Sequence, residues 1–188
     1  RSLQVRIALW ATAFLLVVPA VFFALIEWNN TLGGLETTDR LMNAAFQSVT
    51  LRTAGFNSID LTKIQPATWT LMIVAMFIGG CPGSTAGGVK TTTFALFVLL
   101  VASAVRGEPH VQVLGRRVSR RSVRRAAATI AVASVGALLA LLTMQLTQSL
   151  SLDVVFFEVI SALATVGLFN GLQAIQQFVG RKIGTQMN

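Results

Sequence analysis

Long apolar runs alternate along this chain with short polar intervals, and the length of each run decides what it can form. Residues 5–26, "VRIALWATAFLLVVPAVFFALI", and 126–147, "AAATIAVASVGALLALLTMQLT", are almost entirely apolar. Each gives about 22 positions, enough for a helix to cross roughly 30 Å of hydrocarbon. Both are predicted to span a membrane, the first with a kink at Pro19 that neighbouring helices tolerate. Residues 66–105 are about twice as long as one crossing needs. A glycine-rich stretch divides them into "PATWTLMIVAMFI" and "TTTFALFVLLVASAV". The economical solution is one crossing made of two half-helices joined by irregular backbone, which a membrane tolerates only where that backbone is packed in protein or lines a wet cavity. Two further helices, 40–51 and 153–163, are too short to span and read as re-entrant or interfacial.

Each short helix is followed at once by a Thr-x-Gly-apolar tetrad, "TAGF" at 53–56 and "TVGL" at 165–168. Gly55 and Gly167 lie 112 positions apart, and the spanning runs before them are displaced by nearly the same amount. That is an internal repeat of the form span, short helix, Thr-x-Gly, span. The predicted fold is an all-α membrane protein of span–pore-helix–span repeats with re-entrant loops and one broken transmembrane helix.

Composition agrees with this pattern. The 188 residues are 54% apolar and 12% charged, with mean hydropathy +0.70, about half the charge of an average soluble domain. Fifteen Lys and Arg against seven acids would suggest nucleic acid in a soluble chain, but seven of those cations are Arg residues between Arg106 and Arg125. The charge is local, so no nucleic acid is expected. By the positive-inside rule the 106–125 loop faces the cytoplasm. Glu27, Glu36, Asp39, Asp60, Asp153 and Glu158 then fall on the outer side, with Arg40, Arg52 and Lys63 as nearby cations. The Arg loop is foremost a topology signal, with anionic lipid or a regulatory subunit as a second use. Cys81 stands alone, which excludes an internal disulfide. His110 lies in the polar loop and reads as solvated; it has no second His, Cys or carboxylate at ligand spacing. No nucleophile–base pair is recognisable, so neither a metal, a cofactor nor an enzyme is expected. The chain opens on Arg, directly before its first span, and reads as a piece of a longer one.

The dividing stretch "GGCPGSTAGGVKT" at 79–91 looks at first like a phosphate-binding loop. That motif needs Lys directly after its second Gly and a buried strand before the loop. Here Val89 separates Gly88 from Lys90, and the preceding run has helical character. Both counts argue against a nucleotide site.

The Thr-x-Gly loops have a chemistry of their own. A short helix that dips in from the outer face and ends within the membrane points its negative carbonyl end inward, which favours cations. A following loop can turn successive carbonyls toward an axis if Gly supplies the costly dihedrals, and such carbonyls replace the water around a monovalent cation. One Thr-x-Gly is no more than a helix cap. Two, each after a re-entrant-length helix in matched repeats, point to an ion pathway.

The segments "FQSVTLRTAGFNSID" at 46–60, "MFIGGCPGSTAGGVKTTTFALF" at 76–97 and "EVISALATVGL" at 158–168 resemble the Trk/Ktr/HKT potassium transporters, specifically the bacterial Trk/Ktr-type membrane subunit. That family has four repeats around one pore, each contributing one filter strand. The resemblance implies that 1–105 is the third repeat, with span 5–26, pore helix 40–51, filter 52–57 and broken helix 66–105. It makes 106–125 a cytoplasmic basic loop and 126–188 an incomplete fourth repeat, with span 126–147, pore helix 153–163, filter 164–169 and an atypical tail. Thr53, Ala54, Gly55 and Phe56, with Thr165, Val166, Gly167 and Leu168, are then the potassium filter. Gly79, Gly80, Gly83, Ser84, Thr85, Ala86, Gly87, Gly88 and Lys90 form an intramembrane gating loop below it.

Arg52 is expected to support the filter, as a solvated outer-mouth residue or by pairing with an acid such as Glu158 or Asp153; a cation at this depth favours a functional role. Lys90 is either a tethered cation near the ion path or a side chain snorkelling to the cytoplasmic interface. The resemblance also implies K+ as the transported ion, a bacterial cell (inner) membrane location, a homodimer and a cytoplasmic nucleotide-binding regulatory subunit. A Ser in place of the first repeat's filter Gly goes with sodium in this family, so Na+ stays beside K+ as the transported ion. The chain departs from the family pattern at 171–188, where no final apolar helix is legible, and the first two repeats are missing. Half a filter cannot surround an ion, so the chain alone is not expected to conduct. Two other readings stay open: a secondary transporter with a midplane site at the broken helix, and a non-conducting fragment that serves in assembly.

Overall fold

The computed structural model describes residues 3–107, 112–113, 116–147 and 150–168. The 169–188 tail and His110 lie outside the described residues. The described residues form six α-helices, α1 (Leu3–Glu27), α2 (Thr37–Thr50), α3 (Pro66–Phe77), α4 (Thr91–Val105), α5 (Arg120–Thr147) and α6 (Leu152–Leu163), and a short 3-10 turn at Leu61–Lys63. In the basic loop, β1 (Gln112–Val113) and β2 (Arg116–Arg117) pair antiparallel, a short ladder the sequence does not announce.

The 25 residues of α1 and 28 of α5 reach about 37 and 42 Å at 1.5 Å per residue, whereas the 12 of α3 and 15 of α4 stop near 18 and 22 Å. Both long helices are apolar enough to cross a membrane. They leave large apolar side chains bare, among them Trp10, Phe14 and Leu25 on α1 and Val132, Leu139 and Leu146 on α5. Such faces suit contact with lipid, as expected of helices that span. α5 begins six residues before its predicted apolar run, because Arg120, Arg121, Arg124 and Arg125 continue the helix. Arginine is a good helix former, so hydropathy marks membrane depth and not the end of the helix.

The buried core is built around α3, which packs on α1 on one side and on α6 on another. It includes Phe23, Leu51, Met72, Met76, Phe157 and Ile160. Trp69 of α3 meets Phe157 of α6 edge to face at 4.6 Å, the arrangement that ring quadrupoles favour. The C-terminal end of α1 and the N-terminal end of α3 are joined by one carboxylate. Glu27 is fully buried and accepts from the backbone N–H of Gln65 at 2.8 Å and the hydroxyl of Thr68 at 2.5 Å through one oxygen. Its other oxygen accepts from Asn30 Nδ2, Thr31 Oγ1 and Thr31 N. Gln65 is the N-cap of α3 and lacks a side-chain cap of its own, so Glu27 supplies the negative charge that a helix start favours.

Removing Glu27 strands several donors together. Glu27→Ala is expected to destabilise the fold by about 3 kcal/mol, and Glu27→Gln, which keeps one acceptor, by less. Denaturant unfolding of the purified protein measures both.

Beyond α2, Asp60 accepts from the Thr62 hydroxyl at 2.7 Å and the Thr62 N–H at 3.0 Å, with Lys63 at 3.5 Å. The Thr62 hydrogen bonds hold this exposed carboxyl below its ordinary range, and the turn sets the entry into α3.

Candidate functional site

Both Thr-x-Gly tetrads leave the C-terminus of a short helix, α2 or α6, and both place a left-handed Thr two residues before a left-handed Gly. Thr53 has φ 73° and Gly55 φ 75°; Thr165 has φ 55° and Gly167 φ 81°. Among the described residues Thr53 and Thr165 are the only non-glycines with positive φ. For a β-branched residue that conformation is an outlier, costing about 1–2 kcal/mol, and such strain persists only where the surroundings hold it. The sequence announces the glycines but not these threonines.

Two buried hydroxyls in the preceding helix ends do the holding. Thr50 Oγ1 donates to the Phe56 carbonyl at 2.7 Å and accepts from the Phe56 N–H at 2.9 Å. Ser161 Oγ donates to the Leu168 carbonyl at 2.7 Å. Phe56 and Leu168 are equivalent in the 112-residue repeat, but Thr50 and Ser161 are 111 apart, so a strict repeat comparison misses them. Backbone bonds complete each turn: the Ala54 N–H reaches the Thr50 carbonyl at 3.1 Å, and the Val166 N–H reaches the Ser161 carbonyl at 2.8 Å. The tetrads differ in packing. Val166 and Leu168 bury their side chains in the core, while Ala54 and Phe56 are exposed, Phe56 by 70%.

The two loops meet backbone to backbone. A Cβ built on Gly55 would overlap the Val166 carbonyl oxygen and stand 3.5 Å from the Gly167 carbonyl carbon. Only glycine permits that approach.

The predicted interruption of the 66–105 run falls between Phe77 and Thr91, and the chain there closes into a loop tied at its neck. The Gly79 N–H donates to the Val89 carbonyl at 2.8 Å, the Val89 N–H to the Phe77 carbonyl at 3.0 Å, and the Thr91 N–H to the Gly80 carbonyl at 3.1 Å. A Cβ on Gly79 would overlap the Gly87 carbonyl oxygen, so the neck is too narrow for a side chain. Gly83 and Gly88 take positive φ at 85° and 68°. Ser84 Oγ donates to the Cys81 carbonyl at 2.6 Å, while Thr85 is exposed and Ala86 buried. Lys90 turns back into the loop, its ammonium donating to the Ser84 carbonyl at 3.2 Å and to the Ala86 carbonyl. That is an internal strut, and the side chain does not run out along an apolar surface.

The loop lies against the second tetrad. The Gly87 N–H donates to Thr165 Oγ1 at 3.0 Å, and a Cβ on Gly88 would stand 3.3 Å from the Ala164 Cβ. The structure thus brings 53–56, 165–168 and 79–90 into one cluster. Arg52 joins the cluster from the side: its guanidinium donates to the Leu15 carbonyl at 2.5 Å and to the Ile78 carbonyl. Both acceptors are backbone oxygens, and neither is the carboxylate that sequence reasoning considered. Among the described residues no group of His, Cys, Asp and Glu could hold a metal ion. The chemistry the cluster offers is that of oriented carbonyls and hydroxyls, which suits a weakly held monovalent cation.

The sequence pattern of the TrkH cation transport proteins matches residues 3–183. The chain is 41% identical over 174 residues to Ktr system potassium uptake protein B of Vibrio alginolyticus, covering 92% of this chain and 38% of that protein. It is 34% identical over 187 residues to the potassium/sodium uptake protein NtpJ of Enterococcus hirae, covering 97% of this chain and 42% of that protein. The fold is similar to that of the potassium transporter TrkH of Vibrio parahaemolyticus, with a TM-score of 0.71 at 23% identity over 85% of this chain and 36% of the other. The chain therefore spans well under half the length of these relatives, and this mostly helical chain belongs to the TrkH family of cation transport proteins.

Proposed function

We propose that this chain supplies two of the ion-selective loops of a Trk/Ktr-type potassium uptake pore, with the 79–90 loop as its gate. The observation that carries the reading is the matched pair of left-handed positions in loops that touch: Thr53 and Gly55 in one, Thr165 and Gly167 in the other. In an extended strand successive carbonyls point to opposite sides. Alternating the sign of φ turns them toward one side, where they can replace an ion's hydration shell. Potassium is the ion carried by the Vibrio alginolyticus relative, and potassium and sodium by the Enterococcus hirae relative, as their names state. We take K+ as the principal ion and Na+ as its competitor.

On this reading 1–105 is the third repeat, 106–125 a cytoplasmic basic loop and 126–188 an incomplete fourth repeat. α2 and α6 are pore helices, and α3 with α4 is one crossing broken by the gate. The pore would be completed by the remaining repeats of the same subunit, in a multi-pass protein of the bacterial inner membrane that pairs as a homodimer. A cytoplasmic nucleotide-binding subunit would regulate it, so any nucleotide dependence belongs to that partner. Transport is passive and needs no cofactor or enzymatic step in this chain.

Potassium-limited growth tests the reading. The gene at its full natural length is expressed in a bacterial strain stripped of its own uptake systems, with and without Gly55→Asp. Rescue by the unmodified gene that Gly55→Asp removes is the expected result. Equal rescue by both, or none by a well-expressed unmodified protein, would move the transport site away from 53–56 and favour a midplane site at the broken helix.

A further inference from the structure

The Arg52 guanidinium reaches two carbonyls that are unrelated in sequence but share a chemical condition. Pro19 lies inside α1. A proline in a helix has no N–H, so it orphans the carbonyl four residues earlier, which here is that of Leu15. Arg52 Nη2 donates to that oxygen at 2.5 Å. The second acceptor is Ile78, the C-cap of α3, where the chain leaves helical geometry at φ −88° and ψ 92°. Its carbonyl has no successor turn to bond. Both Leu15 and Ile78 are buried, where no bulk water satisfies a bare carbonyl.

We propose that Arg52 is a positioning residue keyed to Pro19. It stands in for the N–H that the proline lacks, and through this bond and the one to Ile78 it fixes the start of the 53–56 loop over the break between α3 and α4. Three features support this. Arginine's planar fork presents two donors at a set angle and keeps its charge, which a lysine point charge cannot match. The guanidinium lies at the C-terminal, negative end of α3, whose dipole offsets part of its charge without a carboxylate. On the same strip of α1, Ser48 Oγ donates to the neighbouring Leu16 carbonyl at 2.6 Å. The end of α2 is therefore docked on α1 one turn before Pro19 by two adjacent carbonyls, one of them freed by the proline. The proline is not merely tolerated; it creates the acceptor that registers α2, and hence the 53–56 loop, against α1.

The pairing makes a prediction that a plain packing role does not. With Pro19→Ala the Leu15 carbonyl regains an N–H from its own helix, so Arg52 loses one of its two tasks. The full-length protein is purified in five forms: unmodified, Pro19→Ala, Arg52→Gln, Arg52→Lys and the Pro19→Ala/Arg52→Gln double variant. Unfolding midpoints and the ability of Na+ to compete with rubidium uptake are measured for each. Arg52→Gln is expected to lower the midpoint by about 3 °C or more and to weaken discrimination against Na+ about tenfold. In the Pro19→Ala background its effect on the midpoint is expected to be much smaller, and Arg52→Lys to recover only part of the loss. If Arg52→Gln alone does not accumulate, recovery of folded protein in the double variant is the expected sign of the same coupling.

Additive midpoints, no recovery of folded protein in the double variant, or full restoration by Arg52→Lys, would overturn the keyed pair. Coupled midpoints with unchanged Na+ competition would overturn the positioning role and leave only a structural tie. The transport arm rests on the ion-pathway reading. An unmodified protein that carries no rubidium would sink that reading, while the unfolding curves still decide the pairing of Pro19 with Arg52.

Discussion

Gly55→Ala is expected to remove nearly all rubidium uptake at matched protein levels in the membrane, although it adds one methyl group. Two costs combine at this position. The φ of 75° is left-handed, which costs a non-glycine residue about 1–2 kcal/mol. The new Cβ would also overlap the Val166 carbonyl oxygen, and that oxygen belongs to a backbone held by Ser161 and by the core packing of Val166 and Leu168. A backbone atom so held cannot rotate aside as a side chain would, so the loops must separate. A combined cost of about 3 kcal/mol corresponds to a loss of roughly a hundredfold. Gly167 supplies the internal control: its φ is 81°, but a Cβ there meets nothing within 4 Å. Gly167→Ala is expected to bear only the torsional cost and to keep measurable uptake. Equal effects at the two positions would show that the close approach of the loops does not matter to transport.

The second large effect is expected at the neck of the 79–90 loop. Gly79 packs against the Gly87 carbonyl so closely that a Cβ at position 79 would overlap the oxygen. Relief requires opening the neck and weakening the Gly79–Val89 and Val89–Phe77 bonds that close it. Gly87 is also the residue whose N–H reaches Thr165, so this side of the neck would move off the second tetrad. If the loop obstructs the ion path, Gly79→Ala shifts the balance toward the open state, and each 1.4 kcal/mol shifted multiplies the open population about tenfold. Passive rubidium efflux from loaded proteoliposomes is expected to rise by about that factor. Gly83→Ala, at the open tip where a Cβ meets nothing, is expected to leave efflux close to that of the unmodified protein. Unchanged or reduced efflux from Gly79→Ala in folded protein would argue against an obstructing loop.

Much of the architecture was legible because membrane insertion turns length into structure. The boundaries of α3 and α4 lie within a residue of the two apolar halves read from the sequence, since the glycines and Pro82 between them cannot continue a helix cheaply. The bounds of α2 and α6 shift by only a few residues. What composition could not show was the source of each hydrogen bond. Pro19 stood out inside the first span, but its freed carbonyl lies one turn back at Leu15 and is met by Arg52, 37 positions further along. Glu27 looked like one more acid on the outer side, and only the fold gathers Asn30, Thr31, Gln65 and Thr68 around it. In the candidate site the glycines of the Thr-x-Gly tetrads stood out, whereas the left-handed threonines did not. A β-branched residue at positive φ runs against its own propensity, and it is held there by tertiary contacts such as that of Gly87 with Thr165.

The claim that the two tetrads line an ion path above the 79–90 loop is tested most directly by locating a heavy potassium analogue. Crystals of the full-length protein grown in rubidium are measured at the rubidium absorption edge. The account predicts an anomalous peak flanked by the carbonyls of residues 53–55 and 165–167, on the side of those loops away from Gly87. A protein that transports rubidium but shows its peak at the break between α3 and α4, with none between the tetrads, would contradict it.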